Sequence, residues 1–322
     1  MTVEPDLAHF PDNAALAAGL AAALRAVGES CTVEVLTREP SEWVSTYPAE
    51  VITCRTKSGR RLRLLCKYSG GRPIGTDHRG GVAHEAEVYR QLLHPIKASV
   101  PRFYGTYRDP QMQWTWLLLE MREKTYPLDM DQYRMPQAAA WLGRFHAAAE
   151  AQLCGSALPF LRRYDMEYYR EWARRAAEFA APASDQYPWM ADLCRSVREP
   201  FELLLSRPLT VVHGEFTVFN VLVDGETIRP VDWESAAAGP GEIDLCTLVE
   251  GWPEKMMRQC INAYRLARWP RGGEGDLDRA LDAAYVHLLL RGIGGDPDYT
   301  TTERTGWRFD ELLLAGRRWG LL

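Results

Sequence analysis

Residues 209–234 read LTVVHGEFTVFNVLVDGETIRPVDWE, and this stretch is the strongest indication of the fold. Its apolar start at 209–212 predicts a buried strand that ends at His213. An acid, Glu215, stands two residues further on, and the carboxamide of Asn220 follows five residues after it. The strand therefore delivers a proton acceptor and an oxygen ligand to the loop that follows.

A predicted β-hairpin completes the stretch. Its strands, 221–223 and 227–229, are joined by an Asp-Gly turn, which is a strong hairpin signal. Because the two strands of an antiparallel hairpin lie side by side, Asn220 and Asp232 are expected near the same open end. Both offer the oxygen ligands that Mg2+ prefers, so they form the predicted metal site. Glu234 is either a further metal ligand or an exposed neighbour.

Phosphoryl transfer needs these pieces in this order. The attacking hydroxyl requires an acid that orients it, and the nucleotide phosphates require a metal ion held by an Asn and an Asp. The stretch resembles the His-x-Asp-x-x-x-x-Asn and Asp-x-Glu motifs of the aminoglycoside phosphotransferase and choline kinase family, small-molecule kinases built like protein kinases. The resemblance implies that Glu215 is the catalytic acid-base residue and that Asn220 and Asp232 are catalytic as metal ligands.

The same resemblance implies the fold and the domain organisation. We expect an α+β fold with two lobes, like that of protein kinases. Residues 1–122 would form an N-terminal nucleotide-binding lobe built on an antiparallel sheet, and residues 123–322 a mainly helical lobe for catalysis and substrate binding. The implied activity is transfer of the γ-phosphate of ATP or GTP, with Mg2+, to a hydroxyl of a small molecule. Candidate acceptors are aminoglycoside-like antibiotics, sugars, amino alcohols and related metabolites.

One departure from the family pattern leaves a second hypothesis open. The family usually has Asp at the position of Glu215. A protein that had lost catalysis through this change would be a nucleotide-binding pseudokinase or a regulatory protein. The joint presence of Lys67, Glu85, Asn220 and Asp232 in the right order favours an active kinase.

The N-terminal part of the chain is predicted to be strand-rich. Alternating and β-branched residues at 31–37, 49–56 and 61–68 predict three strands of a twisted antiparallel sheet. A second hairpin is predicted from 103–107 and 114–120. This sheet would be the core of the nucleotide-binding lobe.

Two charged residues in this part are predicted to pair. The third strand ends in Lys67, which on its own is better explained as a lysine at a strand end. A helix predicted at 82–93 carries Glu85 on its apolar face, where a carboxylate requires a cationic partner. We therefore predict a Lys67–Glu85 ion pair, with Glu87 as the rival partner. In kinase-like enzymes such a pair positions the nucleotide phosphates.

The remaining nucleotide contacts are predicted from position. The segment 41–48, SEWVSTYP, contains no glycine, so the hydroxyls of Ser45 and Thr46 are candidate phosphate donors unless the segment is a plain turn. The family resemblance places the adenine contacts at Glu120, Met121 and Arg122, where the chain leaves the sheet.

The C-terminal part is predicted to be mostly helical. His146 lies on the inward face of its helix, where a histidine is more often part of the core than catalytic. Asp244 either braces the catalytic loop, as the resemblance implies, or is an acid favoured at a helix N-terminus by the helix dipole. Helices are expected at 137–150, 165–181, 186–206, 241–251, 254–268, 276–292 and 303–319.

Composition narrows the class of protein and its setting. The chain has 322 residues and a net charge of −5, without any long run of Lys or Arg, which argues against nucleic-acid binding. Its seven cysteines are dispersed and form no Cys-x-x-Cys pair, which favours a reducing cytoplasm. The alanine-rich segment 14–26 lacks the basic flank of an export signal and is too short for a bilayer, so we expect a surface helix and no membrane partner. A monomer or homodimer is expected.

Two other enzyme classes fit poorly. His213 and Glu215 match the start of the zinc-deaminase signature, but no Pro-Cys-x-x-Cys follows to complete a zinc site. The Gly-x-Ser-x-Gly motif of serine hydrolases is also missing from the sequence.

Overall fold

The computed structural model describes residues 10–28, 32–41, 47–69, 79–155, 157–273, 275–300, 302 and 305–322. Contacts between residues divide the chain into two units. Unit 1 contains the described residues up to Tyr126 together with Leu222–Ser235, and unit 2 contains Pro127–Val221 and Ala236–Leu322. The segment that carries Asp232 thus belongs with the N-terminal residues. The predicted lobe boundary after residue 122 stays a prediction.

Unit 1 is built on a five-stranded antiparallel sheet. The strands are β1 (Val33–Pro40), β2 (Ala49–Thr56), β3 (Arg61–Tyr68), β4 (Phe103–Arg108) and β5 (Thr115–Glu120). Their order is β1-β2-β3-β5-β4. The predicted strands at 49–56 and 61–68 are confirmed at both ends: β2 carries β-branched residues and is almost wholly buried, and β3 alternates before it becomes buried. The first strand begins later than predicted, and Cys31 lies outside the described residues.

A helix, α1 (Asn13–Ala26), packs on this sheet. Asp12 caps it by accepting a hydrogen bond of 2.8 Å from the Ala15 amide. The side chains of Leu16, Leu20 and Leu24 are fully buried. This helix closes one face of the apolar core of unit 1.

Two further elements complete unit 1. The predicted helix at 82–93 is present as α2 (Gly81–Val88), but its last part, Tyr89–Leu93, is a π-helical turn. The predicted hairpin is confirmed as β9 (Val221–Asp224) and β10 (Thr227–Pro230). With β6 (Tyr126–Pro127) it forms a small sheet in the order β10-β9-β6.

Unit 2 is mainly helical, as expected. It also contains a small sheet of β7 (Arg162–Arg163), β8 (Leu209–Val212) and β11 (Ala237–Pro240), in the order β7-β11-β8. The helices are α3 (Met135–Gly155), α4 (Met166–Ala180), α5 (Met190–Ser196), α6 (Arg198–Ser206), α7 (Glu242–Val249), α8 (Glu254–Arg268), α9 (Leu277–Ile293), α10 (Pro297–Thr300) and α11 (Gly306–Arg318).

One helix prediction in unit 2 is wrong. The single helix expected at 186–206 is two helices, α5 and α6, that meet at Val197. Val197 has a ψ of 19°, outside the helical range. Pro200 explains the break, because it has no amide hydrogen to continue the α5 ladder and is tolerated only in the first turn of a new helix. None of the helices in the described parts of the chain is long and apolar enough to cross a membrane.

We expect Gly19→Ala in α1 to destabilise the protein, although alanine normally favours a helix. A Cβ atom at Gly19 would lie 2.2 Å from Trp116 and 2.8 Å from Tyr107, so the core must shift to admit it. Overpacking of this kind costs about 1–3 kcal/mol, measured by urea unfolding. Gly155→Ala at the end of α3 is the matched control, since a Cβ there meets nothing within 4 Å. Equal stability of the two variants would contradict the packing argument.

Candidate active site

A buried lysine in unit 1 lies between two carboxylates. Lys67, near the end of β3, is only 4% exposed. Its Nζ is 2.8 Å from Glu85 Oε2 on α2 and 2.5 Å from Asp232 Oδ1. Lys67 is therefore not a lysine that extends from a strand end into solvent. Glu87, the rival partner, instead accepts hydrogen bonds from Arg90 and Gln91.

The carboxylates keep Lys67 charged in spite of its burial. Burial alone lowers the pKa of the Lys67 ammonium, but Glu85, Asp232 and Glu234 outweigh it and hold the pKa above its ordinary value. For the fully buried Glu85, burial raises the pKa of the carboxyl while the Lys67 ammonium opposes that rise. Glu85 also accepts a 3.2 Å hydrogen bond from the Trp233 amide.

Asp232 occupies an unusual backbone position. Its φ is 69°, in the left-handed region that non-glycine residues enter rarely and that Asp and Asn tolerate best. Such conformations cost about 1–3 kcal/mol and cluster at functional sites. The side chain of Asp232 is thus held by Lys67, while its backbone takes a left-handed conformation that few residue types adopt.

Glu234 is buried rather than exposed, so it is not an exposed neighbour of the site. Its Oε1 lies 3.4 Å from Arg79 Nη1, and its backbone oxygen accepts a 2.7 Å hydrogen bond from Gly80. Carboxylate oxygens of Asp232 and Glu234 lie within 4.8 Å of each other. Unit 1 therefore presents two neighbouring hard oxygen donors.

The predicted adenine-binding residues follow β5. The Met121 amide already donates to the Arg63 carbonyl at 3.0 Å. Glu120 accepts a bond of 3.3 Å from the Arg102 amide, and Arg122 pairs with Asp224 at 3.1 Å. Any adenine contact at Met121 would therefore have to use a group other than its amide. The other predicted nucleotide contacts, Ser45 and Thr46, lie outside the described residues.

In unit 2, Asp244 braces the segment that we call the 213–220 loop. Asp244 Oδ2 accepts hydrogen bonds from the His213 amide at 2.6 Å and from His146 Nε2 at 3.1 Å. Its Oδ1 accepts from the Gly214 amide at 2.9 Å. Although Asp244 lies in the first turn of α7, these bonds give it the bracing role. His146 is fully buried, which confirms that it is a core histidine.

Gly214, the residue before Glu215, is held at both its amide and its carbonyl. Gly214 has a φ of 85°, which a glycine adopts without cost. While Asp244 binds its amide, the guanidinium of Arg291 on α9 donates a 2.8 Å bond to its carbonyl. Arg291 was not predicted from the sequence; its signal was an arginine within the apolar run of α9.

Asn220, the last residue of this loop, contacts Glu215 within it. Its Nδ2 donates to the Glu215 carbonyl at 3.0 Å, which leaves the carboxamide oxygen as its acceptor. Asn220 belongs to unit 2 and Asp232 to unit 1. A metal site shared by these two residues stays a prediction.

The two units define the class of fold. An antiparallel-sheet unit and a helical unit of this kind are also found in a choline kinase from Cryptosporidium parvum Iowa II, with a TM-score of 0.59 at 14% identity over 90% of this chain and 91% of that one. The protein therefore has the two-lobed, kinase-like α+β fold that the sequence predicted.

A family model described as the phosphotransferase enzyme family matches residues 60–285. The chain belongs to this family and is a small-molecule kinase, which confirms the resemblance noted in the sequence.

Two further solved structures are similar to the chain. Aminoglycoside 2′-phosphotransferase-IIIa in its GDP complex has a TM-score of 0.59 at 13% identity, covering 88% of this chain and 94% of that one. Spectinomycin phosphotransferase in complex with ADP and spectinomycin has a TM-score of 0.54 at 13% identity, covering 91% and 94%. A search of curated proteins returned no significant match.

We expect Lys67→Met to destabilise the protein by about 3–5 kcal/mol, because it leaves Glu85 buried without its cation. Glu85→Gln in the same protein should restore most of the loss, since glutamine is neutral and can still accept from the Trp233 amide. Urea unfolding of the single and double variants measures this coupling.

Lys255→Met, at an exposed position of α8, is the control and should change stability by less than about 0.5 kcal/mol. Additive losses in the double variant would show that the buried pair is not the source of the effect.

Proposed function

We propose that this kinase transfers the γ-phosphate of ATP, with Mg2+, to a hydroxyl group of a small molecule. The observation that carries the proposal is the buried ammonium of Lys67, fixed between Glu85 and Asp232 in unit 1. A cation already held in place can orient phosphates without further ordering, and positioning of this kind accounts for much of the catalysis of phosphoryl transfer. The ADP and GDP bound to structural neighbours support a nucleotide donor and leave GTP as the alternative.

In this proposal the residues of unit 1 bind the nucleotide. Lys67 contacts the phosphates, and Glu85 keeps its ammonium in position. Ser45 and Thr46 donate hydroxyl hydrogen bonds to phosphate, while the backbone at 120–122 contacts the adenine. The charge of Lys67, maintained by the surrounding carboxylates, suits it to a phosphate partner.

The proposed metal ligands are Asp232, Asn220 and Glu234. All three offer oxygen atoms, the donor type that Mg2+ takes, and the carboxylates of Asp232 and Glu234 are already neighbours. When bound, Mg2+ would neutralise charge on the transferring phosphoryl group. Lys67, which contacts Asp232 at 2.5 Å, compensates the same carboxylate.

Glu215 is the proposed acid-base residue. Its carboxylate would orient the acceptor hydroxyl and take up its proton as the phosphoryl group is transferred. The preceding peptide is held by Asp244 and Arg291, so the longer glutamate starts from a fixed backbone. A fixed backbone matters because Glu215 is one methylene longer than the family's aspartate. Misplacement of its carboxylate by about 1 Å can cost about 100-fold in rate.

The acceptor is proposed to be a small hydroxylated molecule, and the neighbours' names, choline kinase and spectinomycin phosphotransferase, suggest two chemical classes. Stacking aromatic residues could distinguish sugars from amino alcohols. Of the tryptophans in unit 2, Trp141, Trp172 and Trp319 are buried, whereas Trp307 is 42% exposed, with the Arg308 guanidinium 4.9 Å over its ring.

We predict that Glu215→Gln lowers turnover by about 10²–10⁴-fold, the usual contribution of a general base. Glu215→Asp should also be impaired, by up to about 100-fold, because its shorter side chain misplaces the carboxylate. ADP release with Mg-ATP and a panel of hydroxylated metabolites and antibiotics measures both, with the exposed Glu167→Gln as control.

Two outcomes would overturn the assignment of Glu215. If Glu215→Gln retained the full rate, the side chain would not be the base. If the wild-type protein bound Mg-ATP without releasing ADP, while Glu215→Asp gained turnover, the natural protein would be a pseudokinase.

We predict that Asp232→Asn weakens Mg2+-dependent ATP binding at least about tenfold. Loss of residues that merely support a metal ligand costs about 10–100-fold in metal affinity, and a direct ligand matters at least as much. Asparagine tolerates the left-handed backbone of this position, so the change tests the carboxylate. Calorimetric titration with ATP, with and without Mg2+, measures the effect. The exposed Asp278→Asn is the control, and an unchanged Mg2+ dependence would exclude Asp232 as a ligand.

A further inference from the structure

A buried series of hydrogen bonds in unit 2 runs from α8 to Asp244. Arg268 Nη1 donates to Tyr264 Oη at 2.9 Å, and Tyr264 Oη lies 2.9 Å from His146 Nδ1. On the other side of the imidazole, His146 Nε2 is 3.1 Å from Asp244 Oδ2. All four residues are buried. We call this series the Arg268–Asp244 relay.

The carboxylate of Asp244, which can only accept, and a neutral imidazole together set the direction of the bonds in the relay. A guanidinium can only donate, so the Tyr264 oxygen accepts from it and the single hydroxyl hydrogen is free for His146 Nδ1. The imidazole then carries its own hydrogen on Nε2 and donates it to the carboxylate of Asp244. Burial and the Arg268 charge lower the pKa of His146 against the pull of Asp244 and Glu242, which agrees with a neutral ring.

Gly241 provides the space in which the relay meets. A Cβ atom there would lie 2.4 Å from Arg268 Nη1, 2.5 Å from His146 Nδ1 and 2.7 Å from Tyr264 Oη. Its φ of −65° is open to any residue, so backbone conformation does not require glycine at this position. Glycine is required because three polar atoms approach this position too closely for a Cβ atom.

The outer end of the relay is anchored as well. Arg268 Nη2 lies 3.2 Å from Glu150 Oε2, and its guanidinium packs over the Trp269 ring at 4.8 Å. The inner end is the carboxylate that binds the amides of His213 and Gly214. The relay therefore connects the cationic guanidinium of Arg268 to the carboxylate of Asp244 through hydrogen bonds.

We infer that Tyr264 and Arg268 are positioning residues that fix the tautomer and orientation of His146 and, through Asp244, the backbone of the 213–220 loop. The inference rests on the proposed function only in treating this loop as catalytic. Neither residue is expected to touch a substrate.

The test compares Tyr264→Phe with the wild-type full chain labelled with 15N, without nucleotide or substrate. The His146 ring nitrogens are assigned with a His146→Gln variant. We expect the Nδ1 resonance to move towards that of a nitrogen without a hydrogen-bond donor. Hydrogen exchange at the amides of His213 and Gly214 should become roughly two- to tenfold faster, as for loss of one hydrogen bond.

Tyr169→Phe is the matched control. It also removes a buried hydroxyl, and that oxygen has no hydrogen-bond partner among the described residues. The control should leave both His146 and the two amides unchanged. Arg268→Met provides a second variant, which should speed exchange of the same amides even if Tyr264→Phe fails to fold.

An unmoved Nδ1 resonance in Tyr264→Phe would show that the hydroxyl does not donate to His146. Unchanged amide exchange in Tyr264→Phe and Arg268→Met, or equal changes in the control, would limit both residues to general packing. Because no readout uses turnover, these results are independent of whether the proposed activity is correct.

Discussion

The burial of a charged lysine constrains the arrangement of unit 1. An ammonium that is 4% exposed is stable only if anionic partners replace its water. Lys67 obtains them from a helix and from a distant part of the chain, because Glu85 lies on α2 and Asp232 follows β10. The sheet, the helix and the hairpin segment must therefore pack together before the charge is compensated. The ion pairs of Lys67 need not add much to the net stability of the fold, but they require this one packing of sheet, helix and hairpin segment.

Unit 2 also contains a buried charged group, in this case the carboxylate of Asp244. The carboxylate of Asp244 is fully buried and is compensated by hydrogen-bond donors rather than by a direct cation. Two of those donors are amides of the 213–220 loop and the third is the imidazole of His146, so the buried charge fixes backbone as well as a side chain. Arg291, from another helix, fixes the carbonyl of Gly214, which follows both amides.

Local patterns explain which parts of the structure could be predicted. The strand at 49–56 follows from its β-branched residues, the strand at 61–68 from alternation and the hairpin at 221–230 from turn chemistry, which are all properties of neighbouring residues. The Lys67–Glu85 pair was predictable because a carboxylate on an apolar helix face demands a cation. The partners of Arg291 and Tyr264 were not, since each depends on residues more than 70 positions away. The break at Val197 was missed because the apolar period continues across it, although Pro200 was visible.

The backbone at Asp232 restricts which sequences can occupy this position. A φ of 69° excludes β-branched residues and disfavours most others, leaving mainly Asp, Asn and Gly. Of these three, only aspartate also carries the negative charge that Lys67 requires. No single substitution at position 232 therefore keeps both the left-handed backbone conformation and the negative charge. Asn or Gly at position 232 would leave Glu85 and Glu234 to compensate the Lys67 ammonium, so such a change weakens the charge balance of unit 1 without removing every anionic partner.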